Sequence, residues 1–110
     1  MSLRTLVGLA ALSLALPPAV NAQESGKYIG TWGGQVESSI EFTPDTTLTY
    51  CYGDLKKGCT ANVEYTRTAS GVEVRNGLHR WTFDRKGHGY YAEYFQNGEK
   101  RGIGIFHGPK

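Results

Sequence analysis

Short alternating runs, cut at regular intervals by tight-turn residues, constrain this chain more than any other feature. Val36, Ile40 and Phe42 alternate with Gln35, Glu37, Ser39 and Glu41; Leu48, Tyr50 and Tyr52 alternate with Thr47, Thr49 and Cys51. Ala61, Val63 and Tyr65 alternate with Asn62, Glu64 and Thr66, and Tyr90, Ala92 and Tyr94 with Tyr91, Glu93 and Phe95. A period of two is the signature of a half-buried strand, because successive side chains point to opposite faces. Between the runs stand Thr43-Pro44-Asp45, Ala69-Ser70-Gly71, Asn76-Gly77, Arg85-Lys86-Gly87 and Asn97-Gly98. Asn-Gly between alternating runs is a strong hairpin signal. Val72 with Val74, Trp81 with Phe83, and Ile103 with Ile105 complete the set. No segment carries an apolar stripe at helical spacing. The 15 glycines, only Gly8 of them ahead of residue 23, are too many for long helices.

The expected fold is all-β: seven or eight strands of 5–9 residues in an antiparallel up-and-down meander. Short connections make sequence neighbours sheet neighbours. Such a meander exposes its edges unless it closes, so a small closed or nearly closed barrel is the natural outcome. A two-sheet β-sandwich is the alternative. No repeat, low-complexity tract or linker interrupts the chain.

Residues 1–22 read as a cleaved signal peptide. Arg4 gives a positive start, and Leu6 to Leu16 form an apolar run. Pro17-Pro18 ends it, and Val20-Asn21-Ala22 supplies a small-residue cleavage site. A run of about 11 residues falls short of the roughly 20 needed to span a bilayer. The expected mature chain, residues 23–110, is one domain near the lower size limit for a self-sufficient core. It is expected in the periplasm or secreted, with no integral membrane association.

Cys51 and Cys59 fit that compartment. An even pair flanking a Gly-bounded turn in an exported protein reads as a disulfide. Closing so short a loop is worth about 2.5 kcal/mol in the chain-entropy picture. Their direct pairing creates a register conflict: Thr49 would oppose Ala61 and Thr47 would oppose Val63, turning the apolar residues of the two strands to opposite faces. A β-bulge near the disulfide would repair this; burial of both faces is the other solution.

Gly30-Thr31-Trp32, early in the mature chain and followed by antiparallel strands, resembles the Gly-x-Trp signature of lipocalin-like (calycin) barrels. The resemblance implies that Trp32 packs across the closed end of the barrel beneath an Arg of the last strand, for which Arg101 is the candidate. The chain is shorter than an ordinary lipocalin, so its interior is expected to be filled largely by side chains. A compact one-disulfide barrel with Gly-x-Trp is also similar to periplasmic inhibitors of secreted metalloproteases, which insert an N-terminal arm into the enzyme. Gln23-Glu24-Ser25-Gly26 lacks their pattern, so that activity is not carried over.

Candidate chemistry is sparse. His79, His88 and His107 share no metal-ligand spacing, and no His-Glu-x-x-His run occurs. There is no Gly-x-Ser-x-Gly elbow. Ser25, Ser38, Ser39 and Ser70 lie in no nucleophile context. Glu93, between Tyr91 and Phe95, has the setting of a general acid without a partner. The Gly-rich tail lacks the helix a phosphate loop needs. The sequence therefore assigns no catalytic residue, metal or cofactor and favours a non-catalytic role.

Aromatic residues and turn lysines are the more informative features. Alternate turns of a meander lie at one end, so Lys56-Lys57 of the cysteine loop and Lys100-Arg101 of the last hairpin should share an end with Trp32. Arg85-Lys86 should lie opposite. Trp32, Tyr50, Tyr52, Lys56, Lys57, Tyr91 and Lys100 are the candidate binding residues. Tyr and Trp present apolar faces with polar tips, suited to a small molecule, a glycan or an envelope component. The alternative is a protein-partner module, such as an inhibitor or accessory subunit of an exported enzyme. With Arg4 set aside, 11 Lys and Arg face 10 Asp and Glu, a balance that gives no drive toward nucleic acid. A monomer or an edge-paired homodimer is expected.

Overall fold

A computed structural model describes residues 24–110; the predicted signal segment, residues 1–22, lies outside the described residues. Among those described there are nine strands and no helix. They are β1 (Gly26–Trp32), β2 (Val36–Phe42), β3 (Thr47–Tyr52), β4 (Cys59–Glu64), β5 (Thr66–Arg67), β6 (Gly71–Asn76), β7 (His79–Lys86), β8 (Gly89–Gln96) and β9 (Glu99–His107). All pair antiparallel in a single sheet ordered β4-β3-β2-β1-β9-β8-β7-β6-β5.

The first strand joins the last: Gly104 faces Trp32 and His107 faces Ile29. The sheet edges instead fall in mid-sequence, at β4 and β5, which only Tyr65 separates. Because one residue bridges them, the two edges must come together in space, and the sheet curls into a nearly closed barrel. If β4 and β5 are two halves of one stave bent at Tyr65, the barrel has eight staves. The expected seven or eight strands differ from the observed nine by this bend.

The register conflict is resolved by a bulge. Cys51 faces Cys59 and Tyr50 faces Thr60, but Leu48 then faces Val63. The extra residue falls at Ala61-Asn62, where Asn62 takes a left-handed conformation with φ 59°, a backbone region Asn tolerates well. Simple alternation placed Ala61 on the face of Val63; the bulge puts Thr60 there instead. Cys51 and Cys59 form the disulfide.

Turn chemistry explains the hairpins. Asn97 and Gly98 both have positive φ (55° and 80°), as a type I′ turn requires. At the other Asn-Gly pair the turn sits one residue later than expected: Asn76 still pairs with His79, and Gly77 alone is left-handed.

Inward-facing residues of all the long staves fill the barrel. Ile40, Leu48, Val72, Phe83, Tyr90, Ala92 and Phe106 are almost fully buried. Phe83 and Phe106 meet edge to face at 5.7 Å, the arrangement that ring quadrupoles favour. No helix among the described residues is long and apolar enough to cross a membrane.

Candidate functional site

Strand direction divides the barrel into two ends. β1 finishes at Trp32, β3 at Tyr52, β6 at Asn76 and β8 at Gln96, so these termini, the cysteine loop and the last hairpin crowd one end, the mouth. The turns at 43–46, 68–70 and 87–88, together with Glu24, occupy the opposite end, the base.

At the mouth, a cavity of about 600 Å³ opens among Trp32, Val36, Tyr50, Tyr52, Trp81, Tyr94 and Arg101, with Gly33 and Gly102 contributing backbone. Six strands or their flanking turns supply this lining. Trp32 forms the floor and is nearly buried. Its edges meet Phe106 at 5.7 Å and Phe83 at 6.4 Å. A Cβ at position 104 would stand 2.9 Å from the Trp32 ring, so Gly104 is what lets the indole lie across β9. The Trp32 Nε1–H donates to the Tyr50 hydroxyl at 3.0 Å. Burial is the main cause that pushes Tyr50 above the usual phenol range, so this hydroxyl stays protonated.

On β2, opposite Tyr52 in the ladder, the fully buried Ser38 hydroxyl has no partner at hydrogen-bonding distance. It is close enough to favour the ionised form of Tyr50, though burial outweighs it. Tyr52 stacks on Tyr50 at 6.4 Å and is half exposed at the rim.

The opposite wall is a second aromatic group. His79 stacks on both Trp81 and Tyr94 at 5.8 Å, and Trp81 meets Tyr94 at a tilt with centroids 5.3 Å apart. His79 Nδ1 lies 2.6 Å from the Tyr94 hydroxyl, and Trp81 reaches Tyr50 at 6.5 Å. Register creates this wall, because Trp81 pairs with Tyr94 and His79 with Gln96. The sequence had offered His79 only as an isolated histidine. Its place two residues from Trp81, on the same strand face, was the available signal.

Of the sequence candidates, Trp32, Tyr50, Tyr52 and Arg101 come together at this cavity. Lys56 and Lys57 lie at the same end but outside its lining. Their backbone amides bond the Asp54 carboxylate at 2.8 and 3.2 Å, which shapes the exposed cysteine loop. Lys100 and Tyr91 lie on the outer wall. The Lys100 ammonium donates to Glu93 at 2.9 Å, and that contact raises its pKa. Tyr91 lies 3.4 Å from the same carboxylate. Glu93 is thus an outward-facing ion-pair partner. Arg101 makes a 3.1 Å ion pair with Glu99 at the rim, with both side chains largely exposed, an arrangement worth little energetically.

A second cavity, of about 510 Å³, lies in the barrel wall where β4 and β6 fail to pair. Leu48, Val63, Val74 and Phe83 line its depth, and the Thr60–Glu64 edge faces Arg75 and Asn76 across it. It shares Tyr50 and Trp81 with the mouth cavity.

The base is closed instead. Glu24, 8% exposed, is tied to the Arg85 guanidinium and the Tyr90 hydroxyl, with Arg67 at 3.7 Å. Burial would raise the Glu24 pKa, but hydrogen bonds from Arg85 and Tyr90 and the two positive charges outweigh it and hold it below the usual range. Around this group Tyr28, Phe42, Tyr65 and Tyr90 pack at 4.9–6.1 Å. Glu24, two residues beyond the expected cleavage point, therefore helps seal the barrel rather than standing in a projecting arm.

No group of three or more His, Cys, Asp or Glu among the described residues is placed to hold a metal ion. The chemistry on offer at the mouth is stacking, apolar contact and hydrogen bonding. No protein-family model, no curated protein and no solved structure matches the chain.

Proposed function

We propose that this protein is an exported, non-catalytic binding module whose mouth cavity takes a small ring-shaped ligand, a glycan unit or a flat aromatic molecule. One observation carries the reading: five aromatic side chains, Trp32, Tyr50, Tyr52, Trp81 and Tyr94, wall one half-open cavity of about 600 Å³. That volume lies within the range of small-molecule sites, which are mostly apolar with a few placed polar groups. An eight-stave barrel has an interior just wide enough to be filled or to hold one small ligand. Here the core fills the base, leaving room at the mouth and in the wall beside it. Aromatic faces stack on sugar rings and planar rings alike. Arg101 supplies a rim donor for a carboxylate or hydroxyl on the ligand. The disulfide accords with export, because such bonds persist in oxidising compartments. Gly-x-Trp and the barrel architecture support kinship with lipocalin-like proteins.

Trp32 and Trp81 are the only tryptophans of the chain, and both line the cavity, so their fluorescence reports directly on it. Titration with N-acetylglucosamine oligomers and with indole and naphthalene carboxylates is expected to quench or shift that emission saturably. Tyr52→Ala should weaken the effect. Absence of any saturable change across the panel, together with no small mass retained by the protein from its host in native mass spectrometry, would overturn the reading.

A further inference from the structure

We infer that the gap in the barrel wall between β4 and β6 is a docking slot for an extended peptide segment of a partner protein. The slot is a wedge. At its base end β5 pairs with β6, Thr66 facing Glu73 and Arg67 facing Val72. Beyond Tyr65 that pairing stops. β4 bonds only β3, and the Val74–Asn76 stretch of β6 bonds only β7. Two rows of unpaired backbone N–H and C=O groups therefore face one gap, which widens toward the mouth. Between them lies an apolar floor of Leu48, Val63, Val74, Trp81 and Phe83.

This pairing of features selects the occupant. An unpaired strand edge is completed by another strand. Strand addition draws affinity from main-chain hydrogen bonds and specificity from alternate side chains. A short extended peptide fits, with apolar side chains at every second position over the floor and polar ones turned to solvent. A small apolar ligand could cover the floor but would leave both backbone rows to water. A second folded copy does not fit, because every described strand is already hydrogen-bonded on at least one side and cannot lie between two edges. The segment must come from a chain that holds it free of its own sheet. The bulge at Asn62 twists the middle of β4, so pairing is expected at its two ends and along Val74–Asn76.

The test pans a random heptapeptide phage library against the purified protein. Enriched sequences are expected to alternate apolar and polar residues, and a synthetic copy should bind saturably. N-methylation of alternate peptide amides should weaken it at least ten-fold. Ala61→Arg, which puts bulk at an exposed position lining the slot, should do the same while leaving the tryptophan response to mouth ligands intact. Hydrogen exchange should show new protection at Thr60–Glu64 and Val74–Asn76. No enrichment, indifference to N-methylation, or protection confined to the mouth would overturn the proposal. So would a concentration-dependent dimer protected at these same amides.

Discussion

The two ends of this barrel solve the same problem in opposite ways. At the base, polar and aromatic groups converge: a buried carboxylate, two guanidinium groups and a phenol form one connected cluster. At the mouth, aromatic rings converge but leave a cavity, and the wall beside it is unpaired. A base with its buried charges paired is a stability device, since each pairing avoids the cost of a stranded buried charge, although the buried Tyr65 hydroxyl beside them has no partner. A mouth that leaves apolar rings and strand edges uncovered forgoes stability that a ligand or partner can restore. The comparison teaches where a domain this small leaves room: at the end away from its buried ion-pair cluster.

The largest effect expected on the comparison comes from the disulfide. It ties the mouth end of β4 to β3 where β4 has no neighbour on its other side. Replacing both Cys51 and Cys59 by Ser should cost about 2.5 kcal/mol, lowering the melting temperature by roughly 10–20 °C. Hydrogen exchange should show β4 amides opening well before those of β8. Equal opening of both would mean the mouth is as firmly held as the base.

Next is Glu24→Gln at the base, expected to cost about 2 kcal/mol. Removing one partner of a buried pair costs 3–5 kcal/mol, and the partial exposure of Arg85 and Arg67 reduces that. The loss should depend on pH. Because the folded Glu24 pKa is depressed, its contribution is fully present above the unfolded value of about 4.3 and is lost as pH falls through the folded value. Thermal melts of wild type and variant should therefore differ at pH 7 and converge near pH 2. A constant gap would show that the carboxylate acts by packing alone.

Tyr52→Ala should separate binding from folding. Tyr52 is half exposed, so stability should change by no more than about 0.5 kcal/mol, while affinity for a stacking ligand falls about ten-fold. A melt shift comparable to that of Glu24→Gln would make the mouth rings structural. The smallest effect is expected from Lys56→Glu with Lys57→Glu. Neither lines the cavity, so the affinity of a neutral ligand should change less than two-fold.

Much of this arrangement was legible in the chain. Alternation assigned the inner faces of β2, β3 and β8, and turn spacing placed Trp32, the cysteine loop and the last hairpin at one end, away from Arg85 and Lys86. The Cys51–Cys59 pairing together with the apolar pattern exposed a register conflict, with a bulge as one of two solutions; the structure takes the bulge. These are local facts: a strand has a period of two, and a tight turn reverses the chain. Other features were not legible because they depend on how distant strands align. Trp81 meets Tyr94 only through the β7–β8 register. Lys100 is drawn to Glu93 on the outer wall, away from the mouth.

Sequence by itself thus determined the all-β class, the faces of most strands, the order of the turns and the covalent tie, because each follows from the nearest few residues; the face of Ala61 was set by the bulge. Tertiary structure alone decided that the barrel closes between its first and last strands and stays open in mid-chain. Curvature summed over eight staves sets where the edges meet, and the chain bends at Tyr65 to reach both. The same closure decided that Glu24 meets Arg85, 61 residues away, and seals one end, leaving the other open.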